Sequence, residues 1–329
     1  LARGLLPDGG GALAVSLLTL AAYTAACVLL AYRVARRTAL GIGGGGGAKK
    51  RRARVATAGA EAYAGWQLPL MSPQFSALFE KEARYALRNA QLRVVAVMAV
   101  GLTVVLRLGP AGMSGRREGP WNVTLTPYAE GAGAVFSVIY IFMLVSPLST
   151  NLFGYDGAGM RALVLSPVSR RTVLLAKNAA LTLVALLLVA AGVVVGGLAL
   201  GDLTPRTLVL ALIAFVTTAG LFWPIGNWLS AQFPKRVQFG KRMNRSGVAG
   251  LMLVPVFFLL LVPPAVAVAA GHFAESHAVK YVILAAFALV SVGFYALVLP
   301  LQGRQLERRE LAILEAVTGR DGGDDGVAE

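Results

Sequence analysis

Long apolar runs alternate with short charged segments along this 329-residue chain. Crossing the hydrocarbon core of a bilayer takes about 20 apolar residues in helical form. Seven runs reach that length, at residues 12–32, 92–110, 131–152, 178–200, 207–230, 248–270 and 280–301. The pattern predicts an all-α, polytopic bundle of about seven transmembrane helices.

Basic residues concentrate in every second connecting segment, after the first, third, fifth and seventh runs. Those after the first are Arg33, Arg36, Arg37, Lys49, Lys50, Arg51, Arg52 and Arg54; those after the third are Arg161, Arg170, Arg171 and Lys177. Those after the fifth are Lys235, Arg236, Lys241, Arg242 and Arg245; those after the seventh are Arg304, Arg308 and Arg309. Because basic loops stay on the cytoplasmic side, we expect the N-terminus outside and the C-terminus in the cytoplasm.

Composition supports a membrane protein, since 57% of residues are hydrophobic and only 14% are charged. The net charge of +15 could indicate a nucleic-acid partner. Its clustering between apolar runs is instead typical of loops that face an anionic leaflet. The single cysteine, Cys27, can form no internal disulfide and is expected to pack as a small hydrophobic residue.

Four regions follow from these patterns. Residues 1–33 form a leading span, and 34–71 form a cytoplasmic linker that contains the glycine-rich basic stretch Gly41–Arg54. That stretch lacks the Gly-Lys-Ser/Thr ending of a phosphate-binding loop. Residues 72–302 hold six spans, and 303–329 form a cytoplasmic amphipathic helix with an acidic, disordered tail. The chain begins without methionine, so we expect it to be a fragment.

An amphipathic helix over residues 73–91 is predicted to precede the second span. It begins at Ser72-Pro73, a favourable helix start. The apolar face comprises Phe75, Leu78, Phe79, Ala83, Ala86, Leu87 and Ala90, and the opposite face comprises Glu80, Lys81, Arg84 and Arg88. We expect it to lie in the cytoplasmic interface; a plain cytoplasmic helix with a Glu80 to Arg84 pair is the alternative.

The segment from Pro147 to Asn178 leaves one apolar run, passes through glycines and Asp156, and returns at Ser166-Pro167. The Ser-Pro pair predicts that the next helix begins there. We interpret this turn as a contact surface for a soluble partner. Positive-inside topology alone would also explain its arginines.

Five of the seven spans have no Asp, Glu, Lys or Arg in their cores, which disfavours an ion-coupled transporter. The polar groups and helix breakers there form a candidate translocation path, although ordinary helix packing explains them equally well: Pro147, Asn151, Trp223, Pro224 and Asn227. The spacing of His272, Glu275 and His277 does not match a zinc-protease motif. No catalytic motif indicates an enzyme.

Two short motifs and their order resemble the membrane subunits of type-2 ABC exporters. Lys81-Glu82-Ala83-Arg84 matches the Lys-Glu-x-Arg pattern of the elbow helix, and Pro167, Arg170 and Lys177 match a Pro-x-x-Arg start with a downstream lysine. The resemblance covers about residues 72–310. It implies an elbow helix that carries Glu80, Lys81, Glu82, Arg84 and Arg88. It also implies a coupling turn near residues 155–173 that carries Asp156, Arg161, Pro167, Arg170, Arg171 and Lys177.

The resemblance implies a permease subunit of the bacterial cytoplasmic membrane, and no enzyme activity on this chain. ATP and Mg²⁺ would be bound by a separate dimeric ATPase subunit, with Arg170 and Arg171 pairing with its acidic groups. The leading span and linker would fit the second half of a larger two-half permease. A passive scaffold or channel component, and an integral-membrane enzyme, remain alternatives. The substrate is not specified by the sequence.

Overall fold

The computed structural model describes residues 65–88, 94–98, 131–200, 204–235 and 247–318, with single positions at 29, 32, 33, 101 and 128. For residues 196–200 and 247–250 it describes the backbone alone. The chain divides into two units, Leu1–Ala64 and Gly65–Glu329. In the first unit, the described positions 29, 32 and 33 are helical.

The described part of the second unit is helical and contains no strand. Its helices in chain order are α1 (Pro73–Arg88), α2 (Ala132–Ser149), α3 (Met160–Leu165), α4 (Arg170–Leu200), α5 (Pro205–Gln232), α6 (Gly247–Phe273) and α7 (His277–Thr318). The predicted all-α class is therefore confirmed.

Five of these helices, α2 and α4 to α7, are long and apolar enough to cross a membrane. They correspond to the last five predicted spans. Of the first two predicted spans, 12–32 and 92–110, only a few positions belong to the described residues, and 94–98 are helical. The count of seven and the orientation of the termini remain predictions.

Helix α5 lies at the centre and contacts α2, α4, α6 and α7. Phe142 of α2 is fully buried against Phe215, Phe222 and Trp223 of α5, with ring centroids 5.2–5.5 Å apart. Helix α6 is more peripheral and exposes large apolar side chains over most of its length. In a membrane protein such a face meets lipid tails at no hydrophobic cost.

Two glycines of α5 allow neighbouring helices to approach closely. A Cβ added at Gly220 would lie 2.7 Å from the carbonyl carbon of Ser291 in α7. A Cβ at Gly226 would collide with the side chain of Ser149 in α2. Small residues at such contacts bring backbones together where lipid supplies no hydrophobic driving force. The close approach of α2 and α7 to α5 thus requires glycine at positions 220 and 226.

Helix α7 continues through the point where the sequence predicted a separate cytoplasmic helix. It has 42 residues, about 63 Å at 1.5 Å per residue, and Gly303 does not interrupt it. A Cβ at Gly303 would lie 3.1 Å from the backbone nitrogen of Arg171, so the glycine serves close packing there. Along this continuation Leu306, Ile313 and Val317 are buried.

Candidate functional site: the polar turn between α2 and α4

Residues 150–169, here called the polar turn, form a packed structure between α2 and α4. Successive backbone hydrogen bonds tighten it, from Gly154 N to Asn151 O (3.1 Å) and from Gly159 N to Asp156 O (2.8 Å). A short 3₁₀ helix over Gly157–Gly159 leads into α3. Phe153 and Met160 are almost fully buried and anchor the turn in the core.

The helix start predicted at Ser166-Pro167 is wrong by three residues. Ser166 ends α3 with an extended backbone (ψ 137°), and α4 begins at Arg170. The residue before a proline avoids the helical region because the proline ring clashes with it. Ser169 provides the cap, its hydroxyl accepting from Thr172 N at 3.2 Å. The Ser72-Pro73 start of α1 is confirmed, with Ser72 accepting from Phe75 N at 3.2 Å.

Four charged side chains from three elements join at the base of the polar turn; we call them the ionic network. The Lys177 ammonium of α4 lies 2.7 Å from Asp156 Oδ2 and 2.8 Å from Glu82 Oε1. The Lys81 ammonium of α1 lies 2.7 Å from Asp156 Oδ1 and 3.1 Å from Glu82 Oε1. Each lysine therefore bridges the same two carboxylates.

The ionic network is most buried at Lys177 and Asp156, whose side chains are 3% and 6% exposed. Glu82 is 14% exposed and Lys81 is 45% exposed. Two positive and two negative groups balance, as buried charges require. The sequence motifs place Lys177 and Asp156 in the predicted turn and Lys81 and Glu82 in the predicted elbow helix, but no pattern predicts that the two pairs meet.

The carboxyl group of Asp156 stays ionised in this environment. Burial alone would raise its pKa, but the ammonium groups of Lys177 and Lys81 outweigh burial and hold it below the ordinary value. Beside it, burial raises the pKa of Tyr155 to about 12, and the nearby Tyr85 hydroxyl adds to the rise. Burial, followed by the charges of Asp156 and Glu82, also raises the pKa of Tyr85. Both phenols therefore remain neutral near pH 7 and add no charge beside the ionic network.

Glu80 lies on the buried side of α1, which corrects its predicted place on the polar face. Its Oε2 accepts from the backbone N–H of Trp66 at 2.7 Å, and its Oε1 pairs with Arg84. The Arg84 guanidinium also lies 5.9 Å from the Trp66 ring centre. This partner for Glu80 comes from the segment before the helix. Leu87, predicted on the apolar face, is 67% exposed.

Arg170 has its partners within the chain. Its Nε donates to Glu310 Oε2 of α7 at 2.6 Å, and its Nη atoms donate to the carbonyls of Leu163 (2.8 Å) and Val164 (2.9 Å). Arg170 thus satisfies open carbonyls at the end of α3 and joins that helix to α7. Glu310 carried no signal in the sequence that marked it as this partner.

The other predicted contact residues lie on the outward surface of the polar turn and in the first turn of α4. Arg161, Pro167 and Arg171 are exposed. Leu165 is 85% exposed, although it ends a helix whose Met160 and Leu163 are buried. Nothing in the sequence marks Leu165 as a contact residue, because one leucine in an apolar segment is no signal by itself. On α1, Arg88 is also exposed.

The candidate path residues lie within helix packing in this structure. The side chain of Asn151 forms two hydrogen bonds with the backbone of Lys235, just after α5. It donates to Lys235 O at 2.9 Å and accepts from Lys235 N at 3.1 Å. Trp223, Pro224 and Asn227 are buried in α5, and Pro147 is half-buried in α2. Whether they line a path in another conformation remains a prediction.

A buried amide pair connects α5 to α7 at the level of these residues. Asn227 donates to Gln302 Oε1 at 3.0 Å, and Gln302 donates to the carbonyl of Pro224 at 2.6 Å. Between α4 and α7, Asn178 donates to the Tyr295 hydroxyl at 3.0 Å. Sequence analysis had noted Asn227 but neither Gln302 nor Tyr295.

At the opposite end of α7, the rings of His272 and His277 pack against Tyr128, with centroids 5.9 and 4.9 Å away. Among the residues that the structure describes, no group of three His, Cys, Asp or Glu side chains could hold a metal ion.

The chain matches no family model, no curated protein and no solved structure.

Proposed function

We propose that the chain is a membrane-spanning permease subunit of an ATP-driven ABC exporter, coupled to a separate ATP-binding subunit through residues 155–173. The observation that carries the proposal is the ionic network, which joins an elbow-like helix, the polar turn and a long transmembrane helix. ATP and Mg²⁺ would be bound by the partner. The order of these elements along the chain also follows the resemblance described above.

The ionic network would make α1, the polar turn and the start of α4 move as one unit. Separating Lys177 from Asp156 or Glu82 would leave charges buried without partners, which costs several kcal/mol. A force on the turn would therefore move α1 and α4 together and leave the pairs intact. Rigid-body movement of this kind is one of the ways in which domains switch between states.

The partner would contact the outward surface of the turn. Leu165 offers an exposed apolar side chain, and Arg161 offers a charge to an acidic group on the partner. Arg170 would contribute indirectly, because its guanidinium already binds Glu310 and the end of α3. An apolar anchor within a charged rim is the usual arrangement of a protein interface.

Affinity purification of the full protein from its native membrane, in mild detergent, would test the proposal. We expect an ATP-binding subunit to copurify in stoichiometric amount and to hydrolyse ATP. Leu165→Asp combined with Arg161→Glu should reduce its recovery at least about tenfold, the equivalent of about 1.4 kcal/mol. Arg88→Glu, an exposed reversal on α1, is the matched control and should retain the subunit.

Recovery of the protein without any ATP-binding subunit would contradict the proposal and favour a passive scaffold or channel component. Equal recovery from wild type and the double variant would leave an ATPase partner in place but exclude this surface as its contact. Activity of the purified chain by itself on a small molecule would instead support an integral-membrane enzyme.

A further inference from the structure

A cleft of about 530 Å³ opens between the end of the polar turn and α7. Residues 166–171 form one wall, and Pro300, Gly303, Arg304 and Glu307 form the other. Two walls can approach here because Gly303 has no side chain to hold them apart. The cleft is open on one side and large enough for a polar headgroup.

The cleft carries an excess of positive charge. Arg170 is already paired with Glu310. Arg171 and Arg304 are exposed, and neither forms an ion pair within the described part of the chain. Glu307 is the single carboxylate on the walls, so two unpaired guanidinium groups face one acid. Arg171 also belongs to the first turn of α4, where the helix dipole is positive.

One face of α7 passes from apolar to charged beside this cleft. Phe294, Leu297 and Leu301 are 42%, 76% and 60% exposed. Arg304 and Arg308 continue the same face at helical spacing and are exposed too. An outward face that changes in this way within one turn marks the surface of the bilayer. The cleft therefore lies at headgroup depth.

We propose that the cleft binds the headgroup of an anionic phospholipid from the leaflet on the side of the polar turn. Arg171 and Arg304 would bind the phosphate through charge-assisted hydrogen bonds. An acyl chain would follow Leu297 and Leu301 along α7. Arg161 and Leu165 lie outside this site, although its wall of residues 166–171 belongs to the proposed coupling segment. Lipid binding does not require the proposed ATPase partner.

A lipid fits the site better than a soluble anion or an acidic peptide. The guanidinium groups would suit any of the three. Only a lipid also covers Leu301 and Leu297, which lie about one and two turns from Arg304 along α7. Anionic leaflets attract basic groups at this depth. The exposed leucines beside the cleft thus favour a lipid over the other two anionic ligands.

The test uses the purified full protein in detergent, with native mass spectrometry to count bound molecules. Phosphatidylglycerol is the probe, phosphatidylcholine the zwitterionic control, and inorganic phosphate the soluble control. We expect phosphatidylglycerol to remain bound well after phosphatidylcholine has dissociated. Arg171→Gln with Arg304→Gln should weaken retention at least about tenfold, since each removes a bond to a charged group. Glu307→Gln should strengthen retention, because it removes the opposing charge.

Arg308→Gln provides the matched control, one turn beyond Arg304 on the same face and outside the cleft. It should change retention less than about twofold. Equal losses from Arg304→Gln and Arg308→Gln would overturn the proposal in favour of general surface charge. Displacement of the lipid by millimolar phosphate, or equal binding of phosphatidylcholine, would also overturn it. Should the double variant fail to fold, the single variants and Glu307→Gln give the same decision.

Discussion

The chain joins its helices in two different ways, around the polar turn and between α5 and α7. Around the polar turn, α1 and α4 are held by the ionic network, whose four members come from three separate stretches of sequence. Between α5 and α7, the contact depends on a glycine and on uncharged amides. Gly220 packs against Ser291, and Asn227 donates a hydrogen bond to Gln302. One region is connected by charge and the other by close approach.

The difference shows what each kind of contact can do. Buried ion pairs specify which groups must meet, yet their net stabilisation is small because desolvation offsets attraction. Close backbone packing stabilises through many weak contacts and is insensitive to pH. In a bundle whose helices move in groups, ion pairs at the edge would determine which elements move together. Close packing inside would keep the central helices in contact. The following substitutions test whether the two regions differ in this way.

Removing the buried lysine should have the largest effect. Lys177→Met leaves Asp156 and Glu82 with Lys81 alone, and breaking a buried pair costs about 3–5 kcal/mol. We expect a loss near the lower end, about 3 kcal/mol, because Lys81 still contacts both carboxylates. Denaturant titration in detergent micelles would measure the free energy of unfolding.

Lys81→Met is the matched control, since it removes the same charge from the same network at a position that is 45% exposed. Screening by solvent should limit its loss to less than about 1 kcal/mol. Similar losses from both variants would show that burial does not decide the strength of this network.

Filling the close contact between α5 and α7 should have an intermediate effect. Gly220→Ala places a Cβ 2.7 Å from the carbonyl carbon of Ser291 and 2.8 Å from its oxygen. The backbone of α7 cannot give way locally, so overpacking should cost about 1–3 kcal/mol. At Gly293 of α7 an added Cβ would meet nothing within 4 Å. Gly293→Ala should therefore be neutral or stabilising by up to about 1 kcal/mol. If both variants lose stability equally, helix approach is not what Gly220 provides.

Acidification should have the smallest effect, and of the two regions compared it should act on the ionic network and not on the contact between α5 and α7. The pKa of Asp156 is lower in the folded chain than its ordinary value of 3.8. Below that value the unfolded chain binds more protons, so stability is present at neutral pH and falls as the pH drops through this range. The stability difference between wild type and Asp156→Asn should shrink between about pH 5 and pH 3. A constant difference over that range would contradict the pairing.

The membrane-spanning helices could be predicted from the sequence because long apolar runs are a local signal. The start of α1 followed from Ser72-Pro73 for the same reason. Ser166-Pro167 misled because a second serine, Ser169, offered a cap closer to the helix, and the proline held Ser166 in an extended conformation. Local patterns therefore indicated that a helix begins here, but not which serine caps it.

The site was less predictable, because its contacts join distant positions. Lys177 and Glu82 are 95 residues apart, and neither shows in sequence that the other is its partner. Glu80 was assigned to the polar face by its charge, whereas the N–H of Trp66 stabilises it on the buried side. The order of the motifs along the chain indicates which segments belong to the site. Only the fold shows which charged side chains form ion pairs within the chain and which are exposed to a partner.

Helix α7 has a mechanical consequence because of its length. About 20 residues suffice to cross a bilayer, so the stretch from Gly303 to Thr318 extends roughly 24 Å beyond it. A tilt of about 10° in the membrane would displace the far end by about 4 Å, by the geometry of a straight rod of that length. The bond from Arg170 to Glu310 connects this extension to the end of α3. A change in the tilt of α7 would therefore move Glu310 and, through this bond, the end of α3.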